Sequence, residues 1–293
     1  MSKSSTASLT HAGAKPVKRA SGFTWLLPVL GLLTLFFVVP VLMLLMRSFM
    51  DPQWGLQNYR ELIGSWTYAK VMLNTFTVAS LVTVVTVFIG FPIAWLLAIL
   101  PRGWAKLLMS ILLLSMWTNL LVRTYAWMVL LQRTGFINRL LVKWGLIDAP
   151  LALVNNLTGV TIGMTYIMLP FLILPLHATL KAIDPTTLRA ATICGASQWQ
   201  AFWRVLLPLA APGLASGALM VFVMSLGYFV TPALLGGTNN MMLAELIAQL
   251  VQSLLNWGLG GAAALVLMLV TLGLYALQLR LYGNVQGKRT AAA

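Results

Sequence analysis

Charge is scarce in this chain. Only 8% of its 293 residues are charged, against about 25% in an ordinary soluble domain. Acids are scarcer still. Asp51, Glu61, Asp148, Asp184 and Glu245 are the whole set, which leaves little material for paired-carboxylate catalysis. The single cysteine, Cys194, excludes an internal disulfide. The two histidines, His11 and His177, stand far apart, and nothing resembles a zinc site. An enzyme is not expected.

What the chain has is apolar length. Sixty per cent of its residues are hydrophobic, with 15 methionines and 11 tryptophans. Runs of about twenty apolar residues fit an all-α integral membrane protein, because lipid cannot satisfy open backbone groups and each span must be a helix. Six spans are expected, at 25–46, 69–99, 107–131, 157–176, 208–231 and 258–281. Residues 1–24 read as a polar, basic cytoplasmic tail and 282–293 as a second one. The net charge of +14 does not point to nucleic acid, because Lys and Arg flank the apolar runs instead of forming a stripe on a soluble fold.

With both termini inside, the inner segments hold Lys3, Lys15, Lys18, Arg19, Arg102, Lys106, Lys181, Arg189, Arg204, Arg280, Lys288 and Arg289. The outer ones hold Arg47, Arg60, Lys70, Arg123, Arg133, Arg139 and Lys143, a bias of 12 to 7. It favours an N-in, C-in orientation. Pro28, Pro40, Pro92, Pro170 and Pro175 fall within spans, where broken helices can mark a transport path but proline is also commonly tolerated.

The segment 177–207 is then a cytoplasmic loop between the fourth and fifth spans. Asp184 followed by Pro185 predicts a helix N-cap and first turn. A helix over 185–193 should stop near Gly195, which can take the left-handed conformation. Ser197 with Gln200 predicts a capping box for a second helix. There Trp199, Phe202, Trp203 and Leu206 form an apolar stripe expected to pack on the bases of the spans.

The pattern Ala190-Ala191, then Gly195, then Val205-Leu206-Leu207-Pro208 resembles the cytoplasmic loop signature of binding-protein-dependent ABC importer permeases of type I, the MetI-like class. In that family it runs Glu-Ala-Ala, three residues, Gly, nine residues, Ile-x-Leu-Pro. One position departs. The family's glutamate is Arg189 here, reversing the charge at a contact the family uses with its ATPase. Leu56-Gln57-Asn58-Tyr59, Asn74-Thr75, Gly90-Phe91-Pro92-Ile93-Ala94-Trp95, Trp117-Thr118-Asn119 with Arg123, Gly135 with Asn138, and Tyr166 with Leu169-Pro170-Phe171 are similar to the spermidine/putrescine permease subfamily.

The resemblance implies a type I permease subunit of the bacterial inner membrane. It implies a second, related permease chain as partner, two ATPase subunits below, and a periplasmic or lipid-anchored solute-binding protein. The chain has no G-x-x-x-x-G-K-[ST] loop, so it is not the motor. No cofactor of its own is expected, ATP being used by the partner subunits. Asp184, Arg189, Ala190, Ala191, Gly195, Leu207 and Pro208 are the expected coupling residues. Trp117, Asn119, Tyr166 and Tyr228 are candidates for a substrate path, ring faces being suited to a polycation. A polyamine is the expected solute, with an amino-acid-like, opine-like or other organic ion as the alternative. An ion-coupled carrier would need ionisable groups inside the spans, which are nearly missing.

Overall fold

The computed structural model describes residues 21–290, and the side chains of 26–277. The tail expected over 1–24 therefore lies almost wholly outside the described residues. Among them there is no strand. The helices are α1 (Ser21–Leu33), α2 (Val39–Met50), α3 (Gln57–Gly64), α4 (Trp66–Ile99), α5 (Arg102–Trp117), α6 (Leu120–Leu131) and α7 (Phe136–Lys143). There follow α8 (Leu157–Lys181), α9 (Pro185–Ile193), α10 (Gln198–Ala201), α11 (Leu207–Leu226), α12 (Val230–Leu235), α13 (Leu243–Gln252) and α14 (Trp257–Thr290). The chain divides into two units, one ending at Leu44 and one beginning at Leu45. The first contains α1 and a π-helical turn at Thr34–Val38; the second holds α3 to α14.

Five helices are long and apolar enough to span a bilayer: Leu26–Met50, Trp66–Ile99, Leu157–Lys181, Gln198–Leu226 and Trp257–Leu277. The remaining apolar run departs from expectation. Instead of one straight span over 107–131, the chain breaks at Thr118-Asn119, and the pieces on either side are bent by 101°. Thr118 is extended, and the Asn119 side chain accepts the N–H of Leu121 at 2.9 Å, capping a new helix. Hydropathy measures apolar length and is blind to such a change of direction. At the other end of the chain α14 runs on to Thr290, past the expected stop at 281.

The prolines do not break the central helices. α4 passes through Pro92, and α8 through Pro170 and Pro175, without interruption. Pro40 and Pro208 are handled differently. Each follows a π-helical turn by one residue, Thr34–Val38 before Pro40 and Phe202–Leu206 before Pro208. Proline lacks an N–H and crowds the carbonyl four residues back; widening the preceding turn relieves that conflict.

α4, α8 and α11 form the core, and small residues let them approach. A Cβ on Gly90 would stand 2.6 Å from Leu172, one on Gly217 2.9 Å from the same side chain, and one on Gly213 2.2 Å from the Thr179 hydroxyl. In lipid, where no hydrophobic force drives helices together, such close backbone packing is a main source of association. At one end of this core, Phe91, Leu97, Leu180 and Leu206 form a buried cluster that seats the 177–207 loop. At the opposite end, Leu62, Val71, Leu246, Leu250 and Leu259 tie α3 and α13 to α4 and α14.

Several residues quoted above for their resemblance are structural brackets at that opposite end. The buried Asn58 side chain donates to the carbonyls of Ser48 at 2.9 Å and Asp51 at 2.7 Å. The buried Asn138 donates to the carbonyls of Gln132 and Leu151, both at 3.0 Å, and accepts the N–H of Leu151 at 2.8 Å. Thr75 accepts the N–H of Leu243 at 2.8 Å, pinning the start of α13 to α4. Asn156, part of an Asn-Leu-Thr sequon, caps α8 by accepting the N–H of Gly159 at 2.9 Å.

Candidate functional site

The loop after α8 folds as its local chemistry dictates. The Asp184 carboxylate accepts the N–H of Thr186 at 2.8 Å, and Pro185 opens α9. The Thr186 hydrogen bonds hold the Asp184 carboxyl below the usual carboxylate range, with a smaller contribution from the Arg189 guanidinium on the same helix. α9 ends in a Schellman arrangement. The Ala196 N–H reaches the Ala191 carbonyl and the Gly195 N–H reaches the Thr192 carbonyl, both at 3.0 Å. Gly195 takes φ +86°, a left-handed conformation that suits glycine. Ser197 and Gln200 complete the capping box, at 3.2 and 3.0 Å.

Asp184, Arg189, Ala190, Ala191 and Gly195 thus lie together on one short, capped, solvent-facing arm, with Leu188 anchoring it against the inner cluster. Leu207 and Pro208 do not sit on this arm. They begin α11, and Gln198–Leu226 runs as a single 29-residue apolar helix from the bracket into the span. The fifth span is therefore continuous with the second arm, so a push on one is a push on the other.

The expected burial of the aromatic stripe is only half right. Leu206 is 4% exposed, and Phe202 packs on Phe91 and Trp95 with ring centroids 5.7 Å apart in each pair. Trp199 and Trp203, however, are 70% and 49% exposed. The spans thus cover one i, i+4 row of the stripe, Phe202 and Leu206, and leave the other, Trp199 and Trp203, bare. Ile193 is a further residue the sequence reading passed over. It is 86% exposed at the end of α9. Its signal is its position five residues after the anchoring Leu188, about 140° round the helix.

The path candidates do not converge as a set. Trp117 is 88% exposed at the break after α5, and Asn119 is spent capping α6. Tyr166 and Tyr228 both pack, half-buried, against the central core cluster. The Tyr166 ring lies 5.6 Å from Trp127 and borders an apolar crevice of about 420 Å³ between α4, α5 and α8. Arg123 lies within electrostatic reach of Tyr228, and its Nε is buried without a hydrogen-bond partner. Among the described residues, Glu245 is the one buried acid, and its Oε2 has no hydrogen-bond partner.

The described residues thus form an all-helical unit with membrane-length apolar helices and a capped bracket, one arm of which is continuous with a span. The family described as "Binding-protein-dependent transport system inner membrane component" matches residues 21–284, and the chain belongs to it. It is 33% identical to the spermidine/putrescine transport system permease protein PotB of Escherichia coli (strain K12) over 250 residues, 83% of this chain and 90% of that protein. It is 34% identical to the inner membrane ABC transporter permease protein YdcU of the same organism over 249 residues, 74% of this chain and 79% of that one. Its fold is similar to a solved bacterial ABC transporter involved in the import of the acidic polysaccharide alginate. That match has a TM-score of 0.69 at 19% identity, over 88% of this chain and 94% of that one.

The chain is accordingly the permease component of an ATP-binding-cassette importer in the inner membrane, a transport subunit and not an enzyme. Such a component works with a partner permease, an ATPase and a solute-binding protein.

Proposed function

We propose that this chain carries a polyamine of the spermidine or putrescine class, paired with a related but different permease chain and driven by two ATPase subunits. A periplasmic or lipid-anchored binding protein delivers the solute. The observation that carries the solute is the 33% identity to PotB across 83% of the chain. The chain lies N-in and C-in, which puts the 184–208 bracket in the cytoplasm and agrees with the 12-to-7 distribution of Lys and Arg. ATP is bound and hydrolysed by the partner subunits.

In this reading α9 is the ATPase seat. Ala190 and Ala191 give it a surface that another protein can approach closely, and the caps at Asp184 and Gly195 keep so short a helix formed. Leu207 and Pro208 pass its displacement into α11. Tyr166 and Tyr228 offer ring faces to a polycation. A second solute class, a carboxylated organic ion, is favoured by one observation, the buried unpaired Nε of Arg123 beside Tyr228.

Uptake of labelled putrescine by cells carrying the intact system, with unlabelled competitors, separates these readings. Competition by spermidine and indifference to amino-acid-like carboxylates is the expected result. Competition by the carboxylates alone would reject the polyamine.

A further inference from the structure

Trp199 and Trp203 leave two large aromatic faces uncovered on the second arm of the bracket. They are the outer members of a ring ladder that begins inside the protein. Phe91 meets Phe202 edge-on at 5.7 Å, Phe202 meets Trp203 at 5.4 Å, and Trp199 lies 5.5 Å from Trp203 and 6.2 Å from Phe202. The ladder runs from the inner cluster outward, and among the described residues nothing closes its outer end.

Helix length fixes the height of those rings. Gln198–Leu226 has 29 residues, about 43 Å at 1.5 Å per residue. A bilayer is about 30 Å thick in its hydrocarbon and about 40–45 Å with its headgroups. With Leu226 at one hydrocarbon boundary, the other falls about twenty residues back, near Leu207. Trp203 and Trp199 then stand in the headgroup layer, where tryptophan's apolar ring and N–H are both satisfied. The charge at this end matches. Arg102 and Lys106 at the start of α5, and Arg204 in the π turn beside Trp203, are exposed, as are Lys181 and Arg189. Asp184 is the one exposed acid on the bracket. Cations at the headgroup level attract anionic lipid.

We propose that the second arm of the bracket docks on the membrane surface itself, with Trp199 and Trp203 seated at the headgroup boundary of anionic phospholipid. The two arms then have different partners. α9 is left for the ATPase, while the aromatic arm holds the bracket at a fixed depth against the bilayer. The inference depends on the membrane embedding of α11 and not on the solute, so it stands or falls separately from the polyamine reading.

Its test uses the assembled transporter in nanodiscs, with Cys194→Ser as background and a nitroxide on Trp199→Cys or Ile193→Cys. The Trp199→Cys label is expected to favour collision with oxygen over a water-soluble nickel chelate, equally with and without the ATPase subunits. The Ile193→Cys label is expected to be open to the chelate until those subunits bind. A Trp199→Cys label as open to the chelate as Ile193→Cys, or one shielded only when the ATPase is present, would overturn the proposal, the latter in favour of a protein partner. Should the cysteine variants fail to assemble, Trp199→Phe/Trp203→Phe serves instead. Brominated phosphatidylglycerol should quench the wild type more than this variant, and more than brominated phosphatidylcholine does. Equal quenching of wild type and variant, or by the two lipids, would contradict it.

Discussion

At Gly195 the backbone stands at φ +86°, and no atom lies within 4 Å of where a Cβ would be. Space is therefore no obstacle to a side chain there, and conformation is the whole constraint. An L-residue in that region costs about 1–2 kcal/mol, more if β-branched. Gly195→Val is expected to abolish uptake while leaving the protein in the membrane at normal abundance. Gly195→Asn, which tolerates the left-handed region, should retain most of it. Uptake assays beside membrane immunoblots check both. Asp184 is fully exposed, so its value lies in the N–H it caps. Its carboxyl is held below the usual range, so the charge persists as pH falls and its stabilising effect is lost only below the ordinary carboxylate pKa. Asp184→Asn should keep both the cap and uptake, and Asp184→Ala should lose uptake. Arg189→Glu restores the acid that the family pattern carries. A changed yield of ATPase in co-purification is expected, and an unchanged yield would remove Arg189 from the contact.

Among elements, the α8–α11 crossing is the most tightly constrained. A methyl on Gly213 would fall 2.2 Å from the Thr179 hydroxyl and 3.2 Å from the Pro175 carbonyl. Gly213→Ala should therefore lower stability by about 1–3 kcal/mol, read as a reduced thermal midpoint of the purified protein. Asn138→Ala leaves three backbone groups unpaired under the 132–156 loop. It should cost about 3 kcal/mol and open that loop to proteolysis. The elements also show what could be read beforehand. The Asp184 cap, the Gly195 stop and the Ser197–Gln200 box were legible because each is decided by groups within a few residues. The bend at Thr118-Asn119 and the bare faces of Trp199 and Trp203 were not. The Asn119 cap is local, but hydropathy is blind to a change of direction, and the periodicity of an apolar stripe does not say which of its rows the spans cover. The roles of Asn58, Asn138 and Thr75 were hidden for a related reason, since their partners lie on other elements.

For the whole molecule, the second arm of the bracket continues through Gln198–Leu226 into the packed α4–α8–α11 core. α9 joins that helix through the turn at Gly195, so motion imposed at α9 crosses the turn before the unbroken stretch from Gln198 carries it into α11. α8 bears on the orientation, because it joins the 132–156 loop at one end to the bracket at the other, and a spanning α8 puts them on opposite sides of the membrane. One measurement tests both at once. A photoactivatable crosslinker is placed on Ala190→Cys or on Asp148→Cys, in the Cys194→Ser background, in membranes containing the assembled transporter. The account predicts an adduct with the ATPase subunit from Ala190→Cys and none from Asp148→Cys. An ATPase adduct from Asp148→Cys, or none from Ala190→Cys in a transporter that still takes up solute, would contradict it.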